Sequence, residues 1–260
     1  MLKILALSFA LICCGSHKPH KSSSSIEILQ QRKDYYVSEI DKHAIYHHRC
    51  DKLTFRGLLS AFGPRQAVEE HEIEPGKFRR DVIPCFPHDS RSSISLDGYL
   101  GVMHHAITYE DWGMVQRIDD YARRHRYIMG EGPIEYTNIL VLAPILSHLA
   151  GNHALGIPKD ISDGYRGHVA AILILLRGRT YGRLNNAELF ALKKLHDLSP
   201  KNPLYAAAYH RFSDGDQTEA QSILLRDFTD SFPETTARYG WGSAPDSVFF
   251  IVTMGIIEGK

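Results

Sequence analysis

Asp51, Asp89 and Asp97 are the carboxylates whose surroundings best suit acid–base chemistry. Two carboxylates in one partly buried cleft divide into general acid and general base, the arrangement that cleaves glycosidic bonds. Asp51 and Asp97 are the expected pair, with Asp89 the third candidate. His88 and Arg91 flank Asp89 and would tune its charge or hold substrate. In the helix expected after Ser95, Asp97, Gly101 and His104 share one face at spacings of four and three. Tyr99 and His104 are candidate substrate contacts there and, with His88, candidate bases for a lyase. Gly101 costs that helix about 1 kcal/mol relative to Ala, so another helix or a ligand must approach the face closely. Each carboxylate also has an ordinary structural role open to it. Asp51 and Asp97 stand at expected helix starts, where a carboxylate caps amides and complements the dipole. His88, Asp89 and Arg91 would then simply tie down a loop.

Two cysteines would bring these groups together. Cys50 precedes Asp51, and Cys85 opens the run Cys-Phe-Pro-His-Asp89. A disulfide between them sets their α-carbons about 5.5–6 Å apart and closes a loop worth roughly 4 kcal/mol in the chain-entropy model. Such a bond needs an oxidising compartment, which the N-terminus leads one to expect; the alternatives are two free buried thiols, or Cys50 as a metal ligand beside His47 and His48. Lys3 is followed by a nine-residue apolar run, Ile4 to Ile12, interrupted only by Ser8, too short for a spanning helix but suited to a secretory signal. Leu11-Ile12-Cys13-Cys14 resembles a bacterial lipobox, with Cys14 the residue to be lipidated; cleavage after Gly15 is the alternative. The polar stretch Ser16 to Ser25 then reads as a tether. The expected organisation is a signal or lipoprotein segment at 1–14, a tether at 15–25 and one domain at 26–260. The protein is expected to be exported and held at the membrane by its N-terminal lipid.

Other clusters carry less. Glu131 and Glu135 flank a Gly-Pro pair ahead of an apolar segment, where an acidic pair is also ordinary dipole complementation. His43, His47 and His48, and His104 with His105, invite a metal, but no HExxH or matching carboxylate spacing accompanies them. Asp214-Gly-Asp-Gln217 lacks the later ligands of a calcium loop and reads as a turn capping the next helix. Trp241, between two glycines, is a candidate rim contact for a sugar or lipid, with burial against a neighbouring helix the structural alternative. Neither a Gly-rich phosphate loop nor a GxSxG elbow occurs. No metal and no cofactor are expected.

The elements that must position these residues are helices. Helical spacing of apolar residues runs over 26–45, 51–62, 95–108, 111–126, 134–150, 165–177, 186–198, 203–212, 217–231 and 247–258, with Trp112, Val115, Ile118 and Tyr121 on one side of the fourth. The stretch 63–91 reads as a long loop, and no alternating strand pattern emerges. Residues 139–143 and 169–176 are apolar around the whole helix and must be buried on every side. Mixed with amphipathic helices, they imply inner helices wrapped by outer ones. The expected fold is all-α, a layered helical array on the scale of a partial or small α/α toroid. Among the 260 residues, 30 Lys+Arg balance 30 Asp+Glu. That balance lacks the basic footprint of a nucleic-acid binder.

Several segments resemble an exported bacterial family of all-helical proteins. They are Cys50-Asp-Lys-Leu-Thr-Phe55, Pro84 to Asp97, Asn202-Pro-Leu-Tyr205 and Ser213-Asp-Gly-Asp-Gln217. The resemblance implies an α/α toroid, an architecture shared with glycan-active proteins, and brings no assigned activity. The functional expectation is therefore an anchored helical protein that acts on or binds an envelope or extracellular glycan, a glycoside hydrolase if it is an enzyme. The alternative is a noncatalytic lipoprotein that binds a protein partner of unknown identity.

Overall fold

A helix that is apolar all round survives in water only between other helices, and this requirement organises the chain. The computed structural model describes residues 24–39, 52–62, 66–80, 94–130, 136–151, 167–228 and 243–259. In chain order the helices are α1 (Ser25–Glu39), α2 (Lys52–Leu58), α3 (Gln66–Glu69), α4 (Leu96–Thr108), α5 (Trp112–Arg124), α6 (Ala143–Leu149), α7 (Gly167–Tyr181), α8 (Asn186–Leu198), α9 (Pro203–Ser213), α10 (Thr218–Asp227) and α11 (Ser243–Ile257). They pack in layers, and the array is mostly helical.

The two-sided burial of α7 is direct. Ile172, Leu173 and Leu176 join one core cluster with α4, α5 and α6. Ala171, Ile174 and Leu175 join another with α8, α9 and α10. In the same way α11 gives Val248, Phe250, Ile251 and Met254 to a cluster with α1 and α2, and Phe249 and Ile256 to that of α7. Among the described residues no helix is long and apolar enough to cross a membrane.

Most of the apolar residues of α4 are buried, and Gly101 explains how a neighbour fits. A Cβ on Gly101 would lie 2.6 Å from the Thr54 carbonyl oxygen, and one on Gly57 would lie 2.1 Å from the Gly101 carbonyl. The backbones of α2 and α4 therefore touch where they cross. The close approach required of this face is made by a helix.

Caps follow local chemistry. Asp111 Oδ1 accepts from Met114 N at the start of α5, and Asn202 Oδ1 accepts from Leu204 N and Tyr205 N at the start of α9. Asn185 and Glu188 form a reciprocal capping box on α8. Each satisfies amides that the first turn leaves without partners.

Three expectations need correction. Part of the stretch read as loop carries α3 and a hairpin, β1 (Glu72–Glu74) with β2 (Lys77–Phe78), turned at Gly76 with φ +81°. The helix expected over 134–150 begins as β4 (Tyr136–Asn138), paired antiparallel with β3 (Ile128–Gly130). A 3-10 turn, Leu140–Leu142, then leads into α6, whose first turn holds Pro144. Proline lacks the N–H that a continuous helix would need there, and Asn138 Oδ1 accepts from Leu140 N to end the strand. Strands of two or three residues are too short to display a period of two. Third, Val115, Ile118 and Tyr121 are buried as expected, but Trp112, at the first helical position, is 44% exposed.

Candidate functional site

Side chains on a helix lean toward its N-terminus and stack at intervals of three and four, so the stripe on α4 can be followed residue by residue. Asp97 lies half-buried in the first turn, behind the N-cap Ser95, where its charge complements the helix dipole. His104 lies seven residues on, about 10 Å along the axis. Gly101 between them is covered by α2. Asp97 and His104 thus stand at opposite ends of a sealed face and do not share a cleft.

Tyr99 is fully buried. Its hydroxyl donates to Gly76 O and accepts from Phe78 N, each at 3.3 Å. Burial pushes the phenol well above its ordinary range, and both contacts tie α4 to the β1–β2 hairpin. Asp51, His88, Asp89, Arg91 and Trp241 lie outside the described residues, as do Cys14, Cys50 and Cys85.

His104 leads to a cavity. About 310 Å³ of space opens where the last turns of four helices meet, α4, α7, α9 and α11, together with the end of α2. Its walls are apolar: Leu58, Phe62, Ile107, Leu175, Phe212 and Val252 among others. The size sits at the low end of small-molecule pockets, which run from about 300 to 1,000 Å³. Into this space four polar side chains are brought from three helices: His104 and Thr108 from α4, Arg179 from α7 and Arg211 from α9.

Their hydrogen bonds fix their chemistry. Arg179 Nη1 donates to His104 Nδ1 at 3.0 Å and Nη2 donates to Thr108 Oγ1 at 3.1 Å. Guanidinium has no acceptor, so His104 Nδ1 must accept and its proton must sit on Nε2, which donates to Ile172 O at 3.2 Å. Thr108 Oγ1 donates in turn to His104 O at 2.8 Å. Burial, then the Arg179 charge, pull the His104 imidazole down to about 3. It is a neutral acceptor at physiological pH, with both nitrogens engaged, and is poorly placed to act as a base.

The arginines differ in what they touch. Arg211 donates from Nη1 to Ile256 O at 2.9 Å and from Nη2 to Gly259 O at 3.5 Å, filling carbonyls at the end of α11. That is ordinary complementation of a helix C-terminus. Among the described residues Arg179 holds only neutral partners, His104 and Thr108. Burial, and next the Arg211 charge, lower its guanidinium from the usual range. Among the described residues no carboxylate lines the cavity.

The sequence reading missed Arg179, Arg211 and Thr108 as site residues. Arg179, in the last turn of a largely apolar helix, was the available signal, and in isolation it reads as a dipole-complementing residue. The paired histidines at 104 and 105 do not share a ligand, because His105 Nδ1 faces Ser60 Oγ at 2.7 Å while His104 faces the cavity. The Asp214 turn is a cap: Asp214 Oδ1 accepts from Asp216 N, and Asp216 Oδ1 accepts from Thr218 N, both at 2.9 Å. Comparison with protein families, with curated proteins and with solved structures finds nothing that matches this chain.

Proposed function

We propose that this domain is a ligand-binding module whose cavity takes a small anion with an apolar body, its charged head seated on Arg179. One observation carries the reading: a guanidinium inside an apolar-walled cavity, with a second guanidinium beside it and, among the described residues, only neutral hydrogen-bond partners. A cation taken from water is costly to hold without an opposite charge. A carboxylate or phosphate head supplies that charge and uses the planar donor fork well, while Leu58, Phe62, Phe212 and Val252 bury the body. Glycosidic acid–base chemistry would need two carboxylates across one bond, and the described lining offers none, so binding is favoured over cleavage. A glycan ligand fits this reading if it is an acidic one.

The convergence of helix C-terminal turns on one cavity supports reading the array as a small α/α toroid with its ligand at one end of the inner ring. Export and lipidation at Cys14, proposed from the N-terminal apolar run, would place the module at the cell envelope.

The test is calorimetric titration of the domain with matched pairs: octanoate and octyl phosphate against octanol, with a uronic acid oligosaccharide as a further arm. The anions are expected to bind, and the alcohol to bind at least tenfold more weakly. Replacing Arg179 with Met should cost the anion about 10- to 100-fold, the worth of a charge-assisted hydrogen bond, and leave the alcohol unchanged. Equal affinity for alcohol and anion in the wild type refutes the proposal.

A further inference from the structure

Away from the cavity, the α8–α9–α10 side of the molecule gathers a second set of groups. His196 comes from the last turns of α8, His210 from α9 and Glu219 from the first turn of α10. Glu219 Oε2 lies 2.9 Å from His210 Nε2 and 3.2 Å from His196 Nε2. The three donor atoms all fall within 4.8 Å of one another. Ligands at about 2.0–2.1 Å in a tetrahedron stand about 3.3 Å apart, so little movement separates this triangle from a coordination shell.

The surroundings orient it. His210 Nδ1 faces both oxygens of Asp214 at 3.1 Å, which leaves Nε2 as the atom turned to Glu219. A carboxylate behind a ligating imidazole fixes its tautomer and strengthens it as a donor. The His196 ring stacks on Tyr209, with ring centroids 5.9 Å apart and planes 22° apart. Both imidazoles are largely shielded, at 12% and 16% exposure, while Glu219 at 45% leaves the site open to solvent.

We infer that His196, His210 and Glu219 bind a divalent transition ion, zinc first among them, with Asp214 as the outer partner of His210 and a fourth position left for water. Two imidazoles and one carboxylate are a borderline-soft set that suits zinc better than calcium or magnesium, whose ligands are oxygens. On binding, the ion takes the lone pair of each Nε2, any proton there leaves to solvent, and Nδ1–H of His210 remains on Asp214. The ion would pin three helices whose contributing residues are separated by as many as 23 positions.

The test uses the whole domain, stripped with a chelator and titrated with Zn²⁺ and, separately, Co²⁺. One equivalent should bind, with the intense visible absorption of four-coordinate Co²⁺, and the melting temperature should rise with added zinc. His210→Gln and Glu219→Gln should each abolish that equivalent while melting near the metal-free wild type. Asp214→Asn should bind about 10- to 100-fold more weakly and keep the Co²⁺ spectrum. With 15 histidines in the chain, zinc binding alone is insufficient. An equivalent that persists unchanged in both Gln variants, or no binding at micromolar zinc, overturns the site.

Discussion

Replacing Gly101 with Ala sets two effects of opposite sign against each other. Helix propensity favours Ala by about 1 kcal/mol, and Gly101 sits inside α4 with ordinary helical geometry. Packing opposes the change. The new methyl would stand 2.6 Å from Thr54 O, 2.8 Å from Thr54 Cα and 2.9 Å from Leu53 O. All three are backbone atoms, so no rotamer change relieves the contact and the helices must part by about 1 Å. A gap of that size forfeits roughly a quarter to a half of each dispersion contact along the crossing. Overpacking usually costs about 1–3 kcal/mol, and a backbone obstacle places this case at the upper end. The net expectation is a loss of about 2 kcal/mol, or about 4–8 °C in melting temperature for a domain of this size. Thermal and urea unfolding of Gly101→Ala beside wild type measure it directly. A variant that melts at or above wild type would mean that propensity outweighs the crossing, and would refute the argument that α2 seals the face between Asp97 and His104.

Two further outcomes follow from buried charge. Arg177 and Glu188 pair across α7 and α8 with side chains 6% and 7% exposed, so Arg177→Met strands a buried carboxylate. It should cost about 3–5 kcal/mol in denaturant unfolding, most of it recovered in the double variant with Glu188→Gln, and a single-variant cost below about 1 kcal/mol would contradict it. His104 gives a pH signature. Its folded value of about 3 lies below its ordinary 6.5, so the unfolded chain binds the proton first. Its contribution is full above pH 6.5 and is lost as pH falls toward 3. At 1.36 kcal/mol per pH unit the whole window amounts to roughly 5 kcal/mol. Urea midpoints from pH 7 to 4 should fall more steeply for wild type than for His104→Gln, and parallel profiles would remove the buried neutral imidazole from the account.

What was legible in the chain was whatever repeats at short range. The apolar run Val169 to Leu176 announced a helix buried on both faces, and α7 fills that place between two core clusters. Ser95, Asp111 and Pro203 marked starts that lie within a residue of those observed. Gly101 announced a close approach, and α2 makes it. The misreadings fall where pattern has too few residues to express itself, in the strands at 72–74, 77–78, 128–130 and 136–138, and where a proline overrules an apolar run, at Pro144.

The site resisted reading for a different reason. Its polar groups come from α4, α7 and α9, and each is unremarkable in its own helix: an arginine in a last turn ordinarily answers the carbonyls there. Arg211 answers carbonyls too, but those of Ile256 and Gly259 at the end of the neighbouring α11 rather than of its own helix. Arg179 occupies the equivalent last-turn position of α7 yet turns from the carbonyls to His104 and Thr108. Sequence cannot separate these two arginines, because the distinction lies in which neighbour the next helix presents. Once α4 supplies an imidazole whose Nδ1 accepts, Arg179 is oriented into the cavity without being neutralised by any of the described residues. That difference, a charge positioned by a neutral group, is the reason for assigning the anion to Arg179 and a capping role to Arg211.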